Sequence, residues 1–213
     1  MNKLFHESIM NVIEKIVYDA LKTTPWLKNF VRNIYQGCFD LLPQRKDYFI
    51  SPPDFRENFF FGFHDLSPFS LDQSKVLANE LSYDDLRMPA MHEKINIGYF
   101  DFCSEKLQGF QKVGESAAWN FHKGCRLQWL GTNEVIFNTY EDERLVSKII
   151  NVGSNEERII NFPIDTVSLD GKYATSFSYE RLEYLMPGYG YPYVDGGLTN
   201  ERAPEETGVF LVD

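Results

Sequence analysis

The hydrophobic positions near the start of the chain recur with the spacing of a helix. Between Phe5 and Leu21 they return every three or four residues, which places them on one side of an α-helix. Thr24 and Pro25 then begin a second helix, because threonine suits the capping position and proline suits the first helical turn. The pattern predicts that this second helix runs to about Leu42.

From about Phe59 the pattern changes to short β-prone runs that are separated by tight polar turns. The sequence Ser-Leu-Asp occurs in two of these turns, at 70–72 and 168–170, and a β-prone run follows each of them. A variant of the same arrangement spans Arg126–Phe137. Each of the three segments is typical of a strand, a turn and a second strand, which together make a β-hairpin.

The hairpins belong to a longer repeat. Each is followed by a further β run, at 97–102, 146–152 and 208–213. Repeated antiparallel units with irregular inserts are typical of β-propeller blades, and the interval between the two Ser-Leu-Asp turns accommodates two blades of about 40–50 residues. The sequence therefore predicts an all-β fold, with an antiparallel sandwich as the alternative.

The predicted organisation has two parts. Residues 1–50 form a short amphipathic segment of two helices, and residues 51–213 form a partial β-propeller domain of about three blades. Complete propellers have about 4–8 blades. The apolar run at 209–212 would also leave an exposed strand edge. We therefore expect the chain to be a fragment of a longer propeller, or else to be completed by another chain.

Composition excludes several classes of protein. A net charge of −10 argues against a nucleic-acid partner, because phosphate binding needs a basic surface. The three cysteines are odd in number and lack zinc-site spacing, so we expect buried thiols in a reducing compartment and no metal site. A secretory signal and a run of about 20 apolar residues are both absent, which predicts a cytoplasmic protein.

The apolar side of the two predicted helices must be covered. The helices can pack on each other or on the propeller. Residues 5–42 can also dock on a membrane surface or a protein partner, and the basic residues with Trp26 suit the first of these. Glu14, Asp19 and Asp40 argue against it. A peripheral membrane location is therefore the alternative to a freely cytoplasmic one.

Three sequence strings carry a resemblance to known proteins: Phe60–Pro68, Trp119–Trp129 and Pro187–Tyr191. Together with the repeated turns, they resemble propeller proteins encoded among bacterial surface-polysaccharide genes, which are distantly related to oligogalacturonate lyases and to the Tol-system propeller. The resemblance implies a glycan-associated protein of surface-polysaccharide biosynthesis or modification that binds a saccharide at the propeller face. A polysaccharide lyase and a scaffold for a protein partner are the alternatives.

A lyase would need two kinds of catalytic residue. A base removes the proton next to a uronate carboxyl group, and a cation neutralises the charge that develops there. His122 and Tyr191 are the candidate bases, while Arg126 and Arg181 are the candidate cations. No motif in the sequence identifies a cofactor.

Saccharide binding would use aromatic rings against apolar sugar faces and polar side chains for the hydroxyl groups. The loop at 188–193 is predicted to be exposed and to carry such rings. Structural roles are the alternative, in which His64 orients a loop and the amides and His122 satisfy backbone groups. The candidate ligand-binding residues are His64, Asp65, Trp119, Asn120, Gln128 and Tyr189.

Overall fold

The computed structural model describes residues 25–42, 54–83, 87–192, 202, 205 and 207–213. The chain divides into two compact units, Met1–Pro53 and Asp54–Asp213. The first predicted helix, over 5–21, lies outside the described residues, and so does the predicted boundary between the two parts at 50–51.

In the first unit, helix α1 spans Pro25–Asp40, close to the predicted bounds. Trp26, Phe30 and Ile34 follow one another at intervals of four residues, and all three are more than half exposed. The helix therefore presents an apolar stripe on one side. Within the part of the chain that the structure describes, no helix has the length and apolar character to cross a membrane.

The second unit begins with a four-stranded antiparallel sheet, sheet 1, whose neighbouring strands follow one another in the chain. Apolar and polar positions alternate along its third strand. Ile95, Ile97 and Tyr99 point into a buried core, as expected for strands whose side chains alternate between two faces. The strands are β1 (Phe59–Phe60), β2 (Lys75–Glu80), β3 (Ile95–Cys103) and β4 (Lys106–Ser116).

Sheet 2 repeats the same arrangement of four antiparallel strands in chain order. Val135, Ile136 and Phe137 are consecutive and all buried, which is typical of a strand that is covered on both faces. The strands are β5 (Gln128–Leu130), β6 (Glu134–Glu141), β7 (Arg144–Asn151) and β8 (Glu157–Ile160).

Sheet 3 has three antiparallel strands in the described residues, and the strand that comes second in the chain is the central one. Helix α2, which the sequence did not predict, precedes the last strand. Ser178 caps this helix by accepting a hydrogen bond from the Arg181 backbone N–H at 3.2 Å. The elements are β9 (Thr166–Val167), β10 (Ala174–Ser176), α2 (Tyr179–Leu185) and β11 (Phe210–Val212).

Two apolar cores join the three sheets. Val135 and Phe137 of β6 pack in one core with Leu77 of sheet 1. Ile136, on the opposite face of the same strand, packs in a second core near Val167 of sheet 3. Sheet 2 therefore lies between the other two, so a two-sheet sandwich is excluded for the described residues. The all-β expectation is confirmed.

The two Ser-Leu-Asp turns have the same hydrogen bonds. The Ser70 hydroxyl donates to Asp72 at 2.7 Å, and the Ser168 hydroxyl donates to Asp170 at 2.6 Å. Each serine oxygen also accepts, at 3.0 Å, the backbone N–H five residues later. The third position after each serine has positive φ, 57° at Gln73 and 69° at Gly171. The predicted repeat is thus a repeat of local structure.

The cysteines differ in exposure. Cys125 is buried as predicted, and its thiol lies 3.3 Å from the side-chain oxygen of Asn79. Cys38 and Cys103 are exposed, so the prediction of buried thiols is wrong for these two. Cys38 lies on α1 and Cys103 lies at the end of β3, and neither belongs to an apolar core of the described residues.

Candidate functional site

Four loops of the second unit contact one another, and we call them together the loop cluster: residues 61–68, 119–127, 161–165 and 186–192. Gly62 and Gly124 allow the first two loops to touch. A side chain at Gly62 would lie 2.8 Å from the backbone of Lys123, and one at Gly124 would lie 2.8 Å from the Phe61 oxygen. Both glycines also have positive φ, which favours glycine.

Ion pairs at Arg126 join the first three loops. Its Nη1 donates to the two carboxylate oxygens of Asp65 at 3.1 and 2.9 Å. Its Nε donates to the main-chain oxygen of Asp165 at 2.7 Å and lies 3.2 Å from that residue's carboxylate. Asp65 lies between β1 and β2 of sheet 1, whereas Arg126 and Asp165 lie just before the first strands of sheets 2 and 3, so Arg126 connects segments of all three sheets.

Asp165 is shared by further donors. Lys123 Nζ lies 3.2 Å from its carboxylate, and the Tyr179 hydroxyl donates to the same oxygen at 3.1 Å. Burial on its own would lower the pKa of Arg126, but the negative charges of Asp165 and Asp65 outweigh it and raise that pKa. Arg126 therefore carries a fixed positive charge inside the cluster.

An aromatic pair lies at the exposed surface of the cluster. The rings of His122 and Tyr189 stack at 4.4 Å between centroids and are parallel to within 5°. His122 is exposed and Tyr189 is half-buried. The loop that carries Tyr189 is fixed by Glu183, whose carboxylate accepts the backbone N–H groups of Gly188 and Gly190 at 2.9 and 3.1 Å.

His64 and Asp65 lie at the surface of the first loop. The His64 ring packs on Phe63 at 4.2 Å, and both are exposed. Asp65 is 38% exposed although it binds the buried Arg126. Asp65 also lines a cavity of about 310 Å³ together with Gln128, Trp129 and the turn of sheet 3.

Tyr191 is fully buried, so the predicted exposed loop is wrong at this position. Its hydroxyl accepts a hydrogen bond from the Asn138 amide at 2.9 Å, and its ring stacks on Tyr179 at 4.3 Å. Burial raises the pKa of Tyr191 far above its usual range. A buried phenol that keeps its proton cannot serve as the base for a polymer at the surface. Tyr191 is therefore not a candidate catalytic residue.

Trp119, Asn120 and Gln128 are also buried, at 0%, 1% and 6% exposure. Trp119 donates to the Glu93 carbonyl and packs among aromatic core residues, so a sugar cannot reach its ring. The Asn120 amide donates to the Gly190 oxygen at 2.6 Å, and the Gln128 amide donates to the Asp165 oxygen at 3.0 Å. The structural alternative therefore holds for both amides.

Arg181 lies on α2, away from the buried guanidinium that joins the sheets. Its Nη2 donates to the main-chain oxygen of Arg202 at 3.3 Å. The structure thus brings together His64, Asp65, His122, Arg126 and Tyr189 in the loop cluster. Tyr191, Trp119, Asn120 and Gln128 are buried, so they support the cluster and do not form its surface.

The sequence did not single out Lys123, Asp165 and Tyr179. Asp165 did have a signal, because it precedes the second Ser-Leu-Asp turn much as Asp65 precedes the first. Within the described residues, no group of three metal-ligating side chains is placed to hold an ion. No protein-family model matches the chain, and no curated protein or solved structure matches it either.

Proposed function

We propose that the second unit is part of a β-propeller. Sheets 1 and 2 are four-stranded antiparallel sheets with strands in chain order, which is the form of a propeller blade. The repeated turns and the packing of sheet 2 on both faces support this. Leu211 and Val209 of sheet 3 are 72% and 81% exposed, which suits a further sheet packed there. A crystal structure of the full-length protein in which Leu211 and Val209 face solvent in every copy would contradict the proposal.

We further propose that the loop cluster binds a saccharide, and that the protein serves bacterial surface-polysaccharide biosynthesis or modification. The exposed His122–Tyr189 stack carries the first part. Flat rings at a surface cover the apolar face of a sugar, while neighbouring charged groups bind its hydroxyls. Asp65 supplies an exposed carboxylate, and His64 an exposed polar ring, in another loop of the same cluster. The sequence resemblance supports the second part.

Glycan-array binding tests this function with three variants. Tyr189→Ala removes the ring and should abolish binding, whereas Tyr189→Phe keeps the ring and should retain most of it. Tyr173→Ala is the matched control, because Tyr173 is 47% exposed in the turn of sheet 3. Equal binding by Tyr189→Ala and the wild type would exclude the stack as the binding surface.

A polysaccharide lyase is the second candidate. His122 is exposed in the same loop that carries the charged Arg126, so a base and a cation lie four residues apart in the sequence. Ultraviolet absorbance of the unsaturated uronate product is the assay. A product that forms with the wild type but not with His122→Ala would establish the lyase. If no polymer gives a product or binds, a scaffold for a protein partner becomes the better proposal.

A further inference from the structure

The guanidinium of Arg126 is buried, but its hydrogen-bond donors are not all paired. The side chain is 1% exposed, Nε is bonded to Asp165, and Nη1 is bonded to Asp65. Nη2 has no hydrogen-bond partner among the described residues. Buried donors in proteins are nearly always paired. This side chain therefore has one donor group left for a ligand.

Asp65 binds the guanidinium of Arg126 through one nitrogen only. Both carboxylate oxygens accept from the same nitrogen, Nη1. A carboxylate that matches a guanidinium takes one hydrogen from each of two nitrogens, which is the stronger arrangement. Asp65 is also the exposed partner of the pair, and it lines the cavity of about 310 Å³. Nη2 is itself buried, so an incoming anion reaches it only when Asp65 moves away, while Nε stays bonded to Asp165.

The backbone holds Arg126 in place for such a role. Its φ is 57°, in the left-handed region that residues other than glycine rarely adopt. The flanking Cys125 and Leu127 are fully buried, which fixes this conformation. Strained backbone of this kind is concentrated at functional sites.

We propose that Asp65 is an internal ligand that occupies an anion site on Arg126. The carboxylate of an acidic saccharide displaces Asp65 and binds Nη1 and Nη2 together. This inference rests on the proposed saccharide function and narrows its ligand to sugars that carry a carboxylate. The sugar ring would bind at the His122–Tyr189 stack, because His122 lies four residues before Arg126 in the same loop.

Titration calorimetry with a polyuronate and with its carboxyl-reduced form tests the inference. Asp65→Asn keeps the shape of the side chain but removes the competing charge. We expect it to bind the polyuronate about fivefold more tightly than the wild type, equivalent to about 1 kcal/mol, with no change for the reduced polymer. Asp65→Glu retains a carboxylate and should not gain affinity.

Asp142→Asn is the control for net charge. Asp142 is an exposed carboxylate in the turn between β6 and β7, so its removal changes the charge of the protein equally. An equal gain in affinity by Asp142→Asn and Asp65→Asn would overturn the inference. So would an unchanged or weaker affinity of Asp65→Asn for the polyuronate.

Two further outcomes separate this inference from the proposed function. Binding of the reduced polymer but not of the polyuronate would overturn the anion site while saccharide binding stands. If the wild-type protein binds no glycan at all, both the anion site and the proposed saccharide function are overturned. If Asp65→Asn does not fold, carboxyl-carbon NMR of wild-type Asp65 replaces it. Its resonance should move when polyuronate is added, and an unchanged resonance at saturation would exclude displacement.

Discussion

Arg126 donates a hydrogen bond from Nε to the main-chain oxygen of Asp165 at 2.7 Å, across the gap between sheets 2 and 3. The Asp165 carboxylate also neutralises Lys123 and accepts from Tyr179. One carboxylate thus serves three donors that come from one loop and a helix. The contact between the sheets on this side depends on charge as well as on apolar packing.

Replacement of Asp165 by alanine should therefore destabilise the protein strongly. Removing one partner of a buried pair costs about 3–5 kcal/mol, because the other charge remains buried without compensation. Asp165 is 20% exposed, so we expect the lower part of that range. Urea unfolding gives the free energy of unfolding. Glu57→Ala, at an exposed turn with ordinary backbone, should change it by less than about 0.5 kcal/mol, and an equal change in both variants would contradict the prediction.

Gly124 should tolerate no side chain. Alanine there would adopt φ near 60° and would also meet Asn79 and Phe61 at 2.8 Å. Left-handed backbone costs a residue with a side chain about 1–2 kcal/mol, and overpacking adds about 1–3 kcal/mol. Denaturant unfolding of Gly124→Ala measures the sum.

Gly109→Ala is the matched control for Gly124→Ala. Gly109 also has positive φ, 43°, but nothing lies within 4 Å of the added carbon. This variant should show only the backbone cost, about 1–2 kcal/mol. If the two variants lose the same stability, the loops at 61–68 and 119–127 are not held in close contact by their glycines.

The features that the sequence predicted, the turns and the strands, depend on residues that are close together in the chain. In the Ser-Leu-Asp turns, Ser70 bonds to a side chain two residues away and to a backbone group five residues away. Short β-prone runs between polar turns similarly predicted the strands. Such patterns depend on local geometry, so each turn carries its own signal in the sequence.

The candidate site depends on contacts that are distant in sequence. Gly188–Tyr193 was predicted to be an exposed loop from its glycine and tyrosine content, but Tyr191 is bonded to Asn138, which belongs to β6. Asp165 pairs with Arg126 across two sheets. Neither pairing leaves a pattern in the sequence, since each is created by the order in which the sheets pack.

The three thiols should differ in reactivity. Burial raises the pKa of Cys125 to about 12, so its reactive thiolate is nearly absent at neutral pH. Cys38 and Cys103 are exposed. A thiol-specific reagent should label two cysteines in the native protein and all three in denaturant, as read by mass spectrometry of the peptides. Rapid native labelling of Cys125 would contradict its burial.

The repeated turns should make stability depend on pH in the acid range. Hydrogen bonds from the Ser70 hydroxyl and from Ser74 lower the pKa of Asp72 from 3.8 to about 2, and bonds from Ser168 and Lys172 lower that of Asp170 in the same direction. A carboxylate whose pKa is lower in the folded state stabilises the fold fully above its unfolded pKa. That contribution is lost as the pH falls from about 4 toward 2.

Asp72→Asn should therefore lower stability at pH 7 and reduce the further loss between pH 4 and pH 2, since its turn no longer releases a proton on folding. Urea midpoints across this range measure both effects. Asp142→Asn should keep the wild-type slope, because no hydroxyl of a Ser-Leu-Asp turn faces that carboxylate. A wild-type slope in Asp72→Asn would show that the Ser70–Asp72 bond does not persist in solution, and the equivalence of the two turns would then rest on backbone geometry alone.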